Sequence, residues 1–142
     1  MRKHGVATES FCLEITESAI MDDPDRAEAT LNRLSQRGFK LSIDDFGTGY
    51  SSLAYLQKLP VSELKIDRSF VDGLDAAPAT QRLVKAMIEM GHGLNLMVTA
   101  EGVETPAERD TLKALGCDVM QGYLGSRPLH GDKLDAWLLS ST

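Results

Sequence analysis

Short β-rich runs alternate with helical patterns along the whole chain, and in four of the runs apolar and polar positions alternate one by one. Leu13 and Ile15 share one face while Glu14 and Thr16 share the other; Leu41 and Ile43 oppose Ser42 and Asp44; Leu64 and Ile66 oppose Lys65 and Asp67; Leu96, Val98 and Ala100 oppose Met97, Thr99 and Glu101. Successive side chains of a strand point to opposite faces, so each run predicts a strand with one apolar and one polar face. The expected strands are 11–16, 40–45, 63–67, 95–103 and 117–121. Between them apolar residues recur at helical spacing. Asp23 as N-cap, Pro24 at the first helical position, Ala27, Leu31 and Leu34 on one face, and Gly38 as the stop delimit one helix. A shorter helix carries Leu53, Leu56 and Leu59 and ends before Pro60. A long one runs from about 79 to 90 with Leu83, Val84, Met87 and Ile88 on its face and Gly91 just beyond. Thr105, Pro106 and Glu108 form a capping box that opens a helix finishing at Gly116, and residues 132–140 predict a closing amphipathic helix.

Five strand-then-helix units in series imply a parallel sheet with right-handed helical crossovers, an α/β fold. A sheet packed by helices on both sides reads apolar on both faces. Here the second face carries a polar or charged side chain near the C-terminal end of each strand, which a barrel with a polar mouth explains better.

Composition narrows the function. With 142 residues the chain predicts one domain at most, and 21 acidic against 15 basic residues leave a net charge of −6. Nothing resembles a basic stripe, which argues against a nucleic-acid polymer as partner. A phosphate-bearing ligand therefore needs a local cation. Cys12 and Cys117 lack zinc spacing and are read as small buried thiols in a reducing compartment; His4, His92 and His130 are scattered. No apolar run nears the roughly 18 residues of a membrane span, and no signal-peptide core is present, so a cytoplasmic location is expected.

The stretch LSIDDFGTGYSSL places Asp44 and Asp45 side by side where a strand meets a turn. Taken alone, adjacent aspartates ahead of glycines are turn and capping residues. If the strands are neighbours, however, Glu14, Asp44, Asp45 and Glu101 converge on one mouth with Lys65 among them. Two carboxylates about 4 Å apart repel by about 4 kcal/mol at an effective dielectric of about 20. Either some protonate or a cation sits between them. An all-oxygen donor set without His or Cys favours magnesium, manganese or calcium over zinc. Where the strand ends, alternation lapses and both aspartates can turn toward the mouth. Lys65 can accept a hydrogen bond from a water there if neutral, or stabilise a developing negative charge if protonated. Such a site suits hydrolysis of a phosphate ester. Two local matches fall short: Asp45-Phe46-Gly47 lacks the other kinase signatures, and Gly47-Thr48-Gly49 lacks the third glycine of a dinucleotide fingerprint.

LEITES (13–18), IDDFGTGYSSL (43–53), LKID (64–67), TAEGVET (99–105) and QGYL (121–124) resemble, in order, the motifs of the EAL domain, a family of bacterial cyclic di-GMP phosphodiesterases. The resemblance implies a modified (β/α)8 TIM-type barrel and hydrolysis of cyclic di-GMP to linear pGpG with Mg2+ or Mn2+. It implies that Glu14 and Asp44 ligate one metal, and that Asp44, Asp45 and Glu101 hold a second. Lys65 then contacts the nucleophilic water, and Gln121 lies near that water or the substrate. Glu17 anchors the loop 46–52, which the family uses in homodimer contacts. Glu104 supports the ligands from behind, and Asp67, on the polar face beside Lys65, joins these supporting residues. The plain alternatives are a solvated Glu17 and a Glu104 that merely precedes a helix N-terminus, where negative charge is favourable.

About five βα units are present where a full barrel needs eight strands in about 250 residues. The family's opening strands, with two further metal ligands, are absent, and nothing in MRKHGVATES replaces them. The reading is therefore a partial EAL domain over residues 1–142, its N-terminal strands missing, with Met1 an internal start or a truncation. Little activity is expected of the chain alone. Two open sheet edges predict a marginally stable or associating chain. Gly125 stands where the family carries an aromatic residue. The alternative function is a catalytically inactive module that binds cyclic di-GMP or mediates dimerisation.

Overall fold

The computed structural model describes residues 5–49 and 52–141. Met1 and His4 at the N-terminus, and Tyr50 and Ser51 in the loop singled out above, lie outside the described residues. Five strands, β1 (Cys12–Thr16), β2 (Lys40–Phe46), β3 (Glu63–Ile66), β4 (Met97–Glu101) and β5 (Val119–Gln121), form one sheet in the order β1-β2-β3-β4-β5. Every pairing is parallel. The helices are α1 (Glu17–Asp22), α2 (Pro24–Gln36), α3 (Leu53–Leu56), α4 (Pro78–Gly93), α5 (Pro106–Ala114) and α6 (Gly131–Ser140).

The alternation does what the pattern implied. Leu41, Ile43, Leu64, Ile66, Val98 and Ala100 are all buried, in one core with Ala27 and Leu31 of α2, Val84, Met87 and Ile88 of α4, and Leu112 of α5. Full burial of such a side chain contributes about 1.5–3 kcal/mol, so this layer sets which face of each strand turns inward toward the helices. The remaining face carries Glu14, Lys65 and Glu101, whose side chains meet.

Helix α2 starts where expected, Asp23 Oδ1 accepting from the Arg26 N–H. The capping box of α5 is complete, Thr105 Oγ1 accepting from Glu108 N and Glu108 Oε2 from Thr105 N. Helix α1 was not foreseen: Thr16 ends β1 and caps the helix at once by accepting from Ala19 N, and Glu17 and Ile20 are its buried residues. The short helix is a single turn over Leu53–Leu56, and Leu59 is buried beyond it.

Gly91 lies inside α4 and does not terminate it. A Cβ there would come within 2.5 Å of Val98 Cγ2, so the glycine marks a close crossing of α4 over β4. Cys12 is exposed, contrary to its reading as a buried thiol, because it opens an edge strand; Cys117 is half-buried. Helix α6 buries none of its residues, and Leu134, Trp137 and Leu138 are exposed. Among the described residues no helix is long and apolar enough to cross a membrane.

Candidate metal centre and its cleft

The register of β2 decides where Asp44 and Asp45 point. Ile43 pairs with Leu64 and Phe46 with Ile66, three steps on β2 against two on β3. The extra residue is a β-bulge, a device that re-aims side chains beside functional sites. Asp45 sits in it with φ +53, a left-handed conformation that aspartate tolerates better than most residues. Its N–H, displaced from the ladder, donates to Asp44 Oδ1 at 2.9 Å, and its carbonyl accepts from Thr48 Oγ1 at 2.7 Å.

The bulge brings both aspartates onto Glu101 at the end of β4. One carboxylate oxygen each from Asp44, Asp45 and Glu101 lies within 4.8 Å of the other two, and all three groups are half-buried. Burial, followed by the charges of Asp44 and Asp67, pushes the Asp45 carboxyl above its ordinary range. Burial also raises Glu101; Lys65 pulls it back, but a hydrogen bond and the charge of Asp44 leave the net direction upward. Both shifts express one physical fact: negative charge is crowded here without enough counter-charge. The donors are all carboxylate oxygens, which fits a hard divalent cation.

Lys65 on β3 is buried, and its ammonium reaches in both directions across the sheet, to Glu14 Oε1 on β1 at 2.6 Å and Glu101 Oε1 on β4 at 2.8 Å. Burial alone would lower its pKa, yet the hydrogen bonds and charges of Glu101 and Glu14 raise it overall. Lys65 is therefore a charged donor in this arrangement. Glu14 lies outside the three-carboxylate group and joins it through Lys65.

A cleft of about 310 Å³ opens beside this centre, lined in part by Asp45, Asp67, Glu101 and Gln121. Asp67 faces Asp45, adding to the crowding of negative charge there, and accepts from Ser69 N at 2.8 Å, capping the turn that follows β3. Glu17 is buried, and its Oε2 accepts from the N–H groups of Gly47 at 2.9 Å and Gly49 at 3.1 Å, which removes the solvated-loop reading. Glu104 is exposed, pairs with Arg68 at 2.9 Å and borders the cleft.

Two residues escaped the sequence reading as more than local features. Arg68 is the only cation lining the cleft among the described residues. Glu108, expected only as a cap, is buried and accepts from Gly73 N as well as from Glu104 N and Thr105 N. The Arg that follows LKID was the available signal for the first; a bond spanning 35 residues left none for the second.

The family model described as EAL domain matches residues 1–128. The chain belongs to the EAL domain family. It is 46% identical over 132 residues to the bifunctional diguanylate cyclase/cyclic di-GMP phosphodiesterase MucR of Pseudomonas aeruginosa, a match covering 93% of this chain and 19% of that protein. It is 46% identical over 138 residues to the cyclic di-GMP phosphodiesterase NbdA of the same organism, covering 97% of this chain and 18% of that protein. The chain thus spans less than a fifth of the length of these curated relatives. The MucR phosphodiesterase in complex with c-di-GMP superposes with a TM-score of 0.89, covering 94% of this chain and 54% of that one. BlrP1 of Klebsiella pneumoniae, in its manganese/cy-diGMP complex, gives a TM-score of 0.81 at 34% identity over 87% of this chain and 32% of that one. These likenesses make the five-stranded EAL sheet part of a TIM-barrel-like fold.

Proposed function

We propose that this chain carries part of the active centre of a metal-dependent cyclic di-GMP phosphodiesterase, which opens the cyclic dinucleotide to linear pGpG. Supporting it most directly is the trio Asp44, Asp45 and Glu101, within 4.8 Å of one another and coupled through Lys65 to Glu14. Relatives named as cyclic di-GMP phosphodiesterases, and neighbours in complex with c-di-GMP and manganese or calcium, support the substrate and the use of a divalent metal.

In this proposal Asp44, Asp45 and Glu101 hold Mg2+ or Mn2+, with Glu14 joining them if Lys65 releases it. A divalent cation held by these carboxylates would supply Lewis-acid chemistry toward a phosphodiester and toward water. Lys65, as an ammonium, orients Glu14 and Glu101 and offers a donor toward charge that develops on phosphate oxygens. Gln121, at the end of β5, offers an amide to the water or the substrate from the cleft wall. Asp67 and Glu104 fix the loops that frame the cleft. Water adds across one of the two phosphodiester bonds, the phosphorus–O3′ bond breaks, and pGpG leaves with a free 3′-hydroxyl. Homodimerisation through the loop 46–52 belongs to the same proposal, and the hold of Glu17 on Gly47 and Gly49 supports a loop whose position is coupled to the centre.

The experiment pairs a metal titration with a turnover assay. Calorimetry with manganese should report uptake by the wild-type chain and a large loss in Asp44→Asn, and chromatography of cyclic di-GMP incubated with the chain should find pGpG at a low rate. Ligand binding without turnover would favour the inactive module. Absence of both metal uptake and ligand binding rejects the proposal.

A further inference from the structure

Resting on that reading of the cleft, we propose that Arg68 is a substrate-binding residue that grips a phosphodiester oxygen of the cyclic dinucleotide. The cleft presents four carboxylates, Asp45, Asp67, Glu101 and Glu104, to any entering ligand. Each would repel a phosphate at 4 Å by about 4 kcal/mol at an effective dielectric of about 20. A cation in the three-carboxylate group offsets only the part of this charge nearest to it. The Lys65 ammonium offsets Glu101, and Arg68 supplies positive charge on the stretch of the cleft lined by Glu104.

Its placement is built from three sides. Asp67 caps the turn Arg68–Phe70 through the Ser69 N–H and so fixes the backbone from which the arginine leaves. The side-chain stem lies on Gly102, just past β4: a Cβ at that position would be 2.4 Å from Arg68 Cγ and 2.8 Å from Cδ. The guanidinium then meets Glu104 Oε1 through Nη2 at 2.9 Å, with 60% of the side chain exposed. Gly102 leaves room for the stem, and the side chain remains exposed where it lines the cleft. A guanidinium carries five N–H donors in a planar fork, so pairing with Glu104 leaves donors for a phosphate, and the fork matches two phosphate oxygens where a lysine offers a point charge.

The test is binding of cyclic di-GMP by calorimetry in calcium, over a series of salt concentrations, to the wild-type chain, Arg68→Met and Arg68→Lys. Methionine keeps an apolar stem over Gly102 and removes the charge. Expected is at least a tenfold weaker affinity for Arg68→Met with a flatter salt dependence, an intermediate affinity for Arg68→Lys with the wild-type salt dependence, and melting temperatures equal to wild type. Equal affinity and salt dependence for wild type and Arg68→Met overturn the proposal. So does an equal loss in both variants accompanied by lower melting temperatures, which assigns a packing role. Failure of the wild-type chain to bind cyclic di-GMP at all is a different result: it removes the reading of the cleft on which this assignment rests.

Discussion

The Lys65 ammonium lies 2.6 Å from Oε1 of Glu14, a contact made from β3 to β1 across the whole width of β2. With Glu101 on its other side, one buried cation ties three strands together. Removing it strands the carboxylates of Glu14 and Glu101 near the like charges of Asp44 and Asp45.

Lys65→Met should therefore destabilise the chain. Breaking a fully buried ion pair costs about 3–5 kcal/mol, and exposed pairs contribute about 0–1 kcal/mol. Glu14 is partly open to solvent, so the expected loss is about 2 kcal/mol between those limits. The midpoint of urea denaturation measures it, and an unshifted midpoint contradicts the bridging role.

Manganese should raise the melting temperature of the wild-type chain. Saturation at about 100 times the dissociation constant stabilises by about 2.7 kcal/mol, roughly 5–10 °C for a chain of this length. Asp44→Asn should show little or none of that rise. A rise of equal size in the variant would place the cation elsewhere.

Glu17→Ala deprives the N–H groups of Gly47 and Gly49 of their carboxylate. Gly47 is half-buried and Gly49 exposed, so water replaces part of what is lost and each bond contributes about 0.5–1.5 kcal/mol. Gly47 cannot compensate by changing residue type, since its φ is +99 and a Cβ would meet the Phe70 ring at 2.6 Å. Hydrogen exchange at the two glycine amides should speed up by tenfold or more while the amides of β4 keep their protection; unchanged exchange would falsify the anchoring role.

Glu108 gives a pH dependence with a definite sign. Burial alone would raise its carboxyl, but backbone N–H bonds from Glu104, Gly73 and Thr105 lower it overall. A depressed folded value means that the carboxylate stabilises the fold above the unfolded glutamate value of about 4.3 and that this contribution is lost as pH falls through the lower folded value. Glu108→Gln should melt lower than wild type at pH 7, and the gap should close progressively as pH drops below about 4. A gap independent of pH would mean that charge is not what Glu108 contributes.

Much of this protein was legible in its sequence because the signals are local. Period-two alternation in Leu41-Ser42-Ile43-Asp44 and its counterparts states which face of each strand meets the helices, and Asp23-Pro24 and Thr105-Pro106 state where α2 and α5 begin. Once the strands are parallel and adjacent, acidic residues at their C-terminal ends lie along one edge of the sheet, so the pattern led to the neighbourhood of Asp44, Asp45 and Glu101, while Glu14, expected with them, lies outside the group.

Tertiary structure decided the rest. A bulge depends on the neighbouring strand's register, so the left-handed turn of Asp45 could not be read from Asp-Asp itself. The partners of Lys65, 51 residues from Glu14 and 36 from Glu101, are chosen by the distance between strands and the reach of a four-carbon arm, not by spacing in the chain. Gly91 looked like a helix stop and proved to be a contact with Val98, and Arg68 looked unremarkable until Gly102 and the cleft were in place around it. Hydrophobic periodicity determines which side of an element is buried. Which charged groups then meet is set by the packed arrangement of segments distant in sequence, a property that no single segment contains.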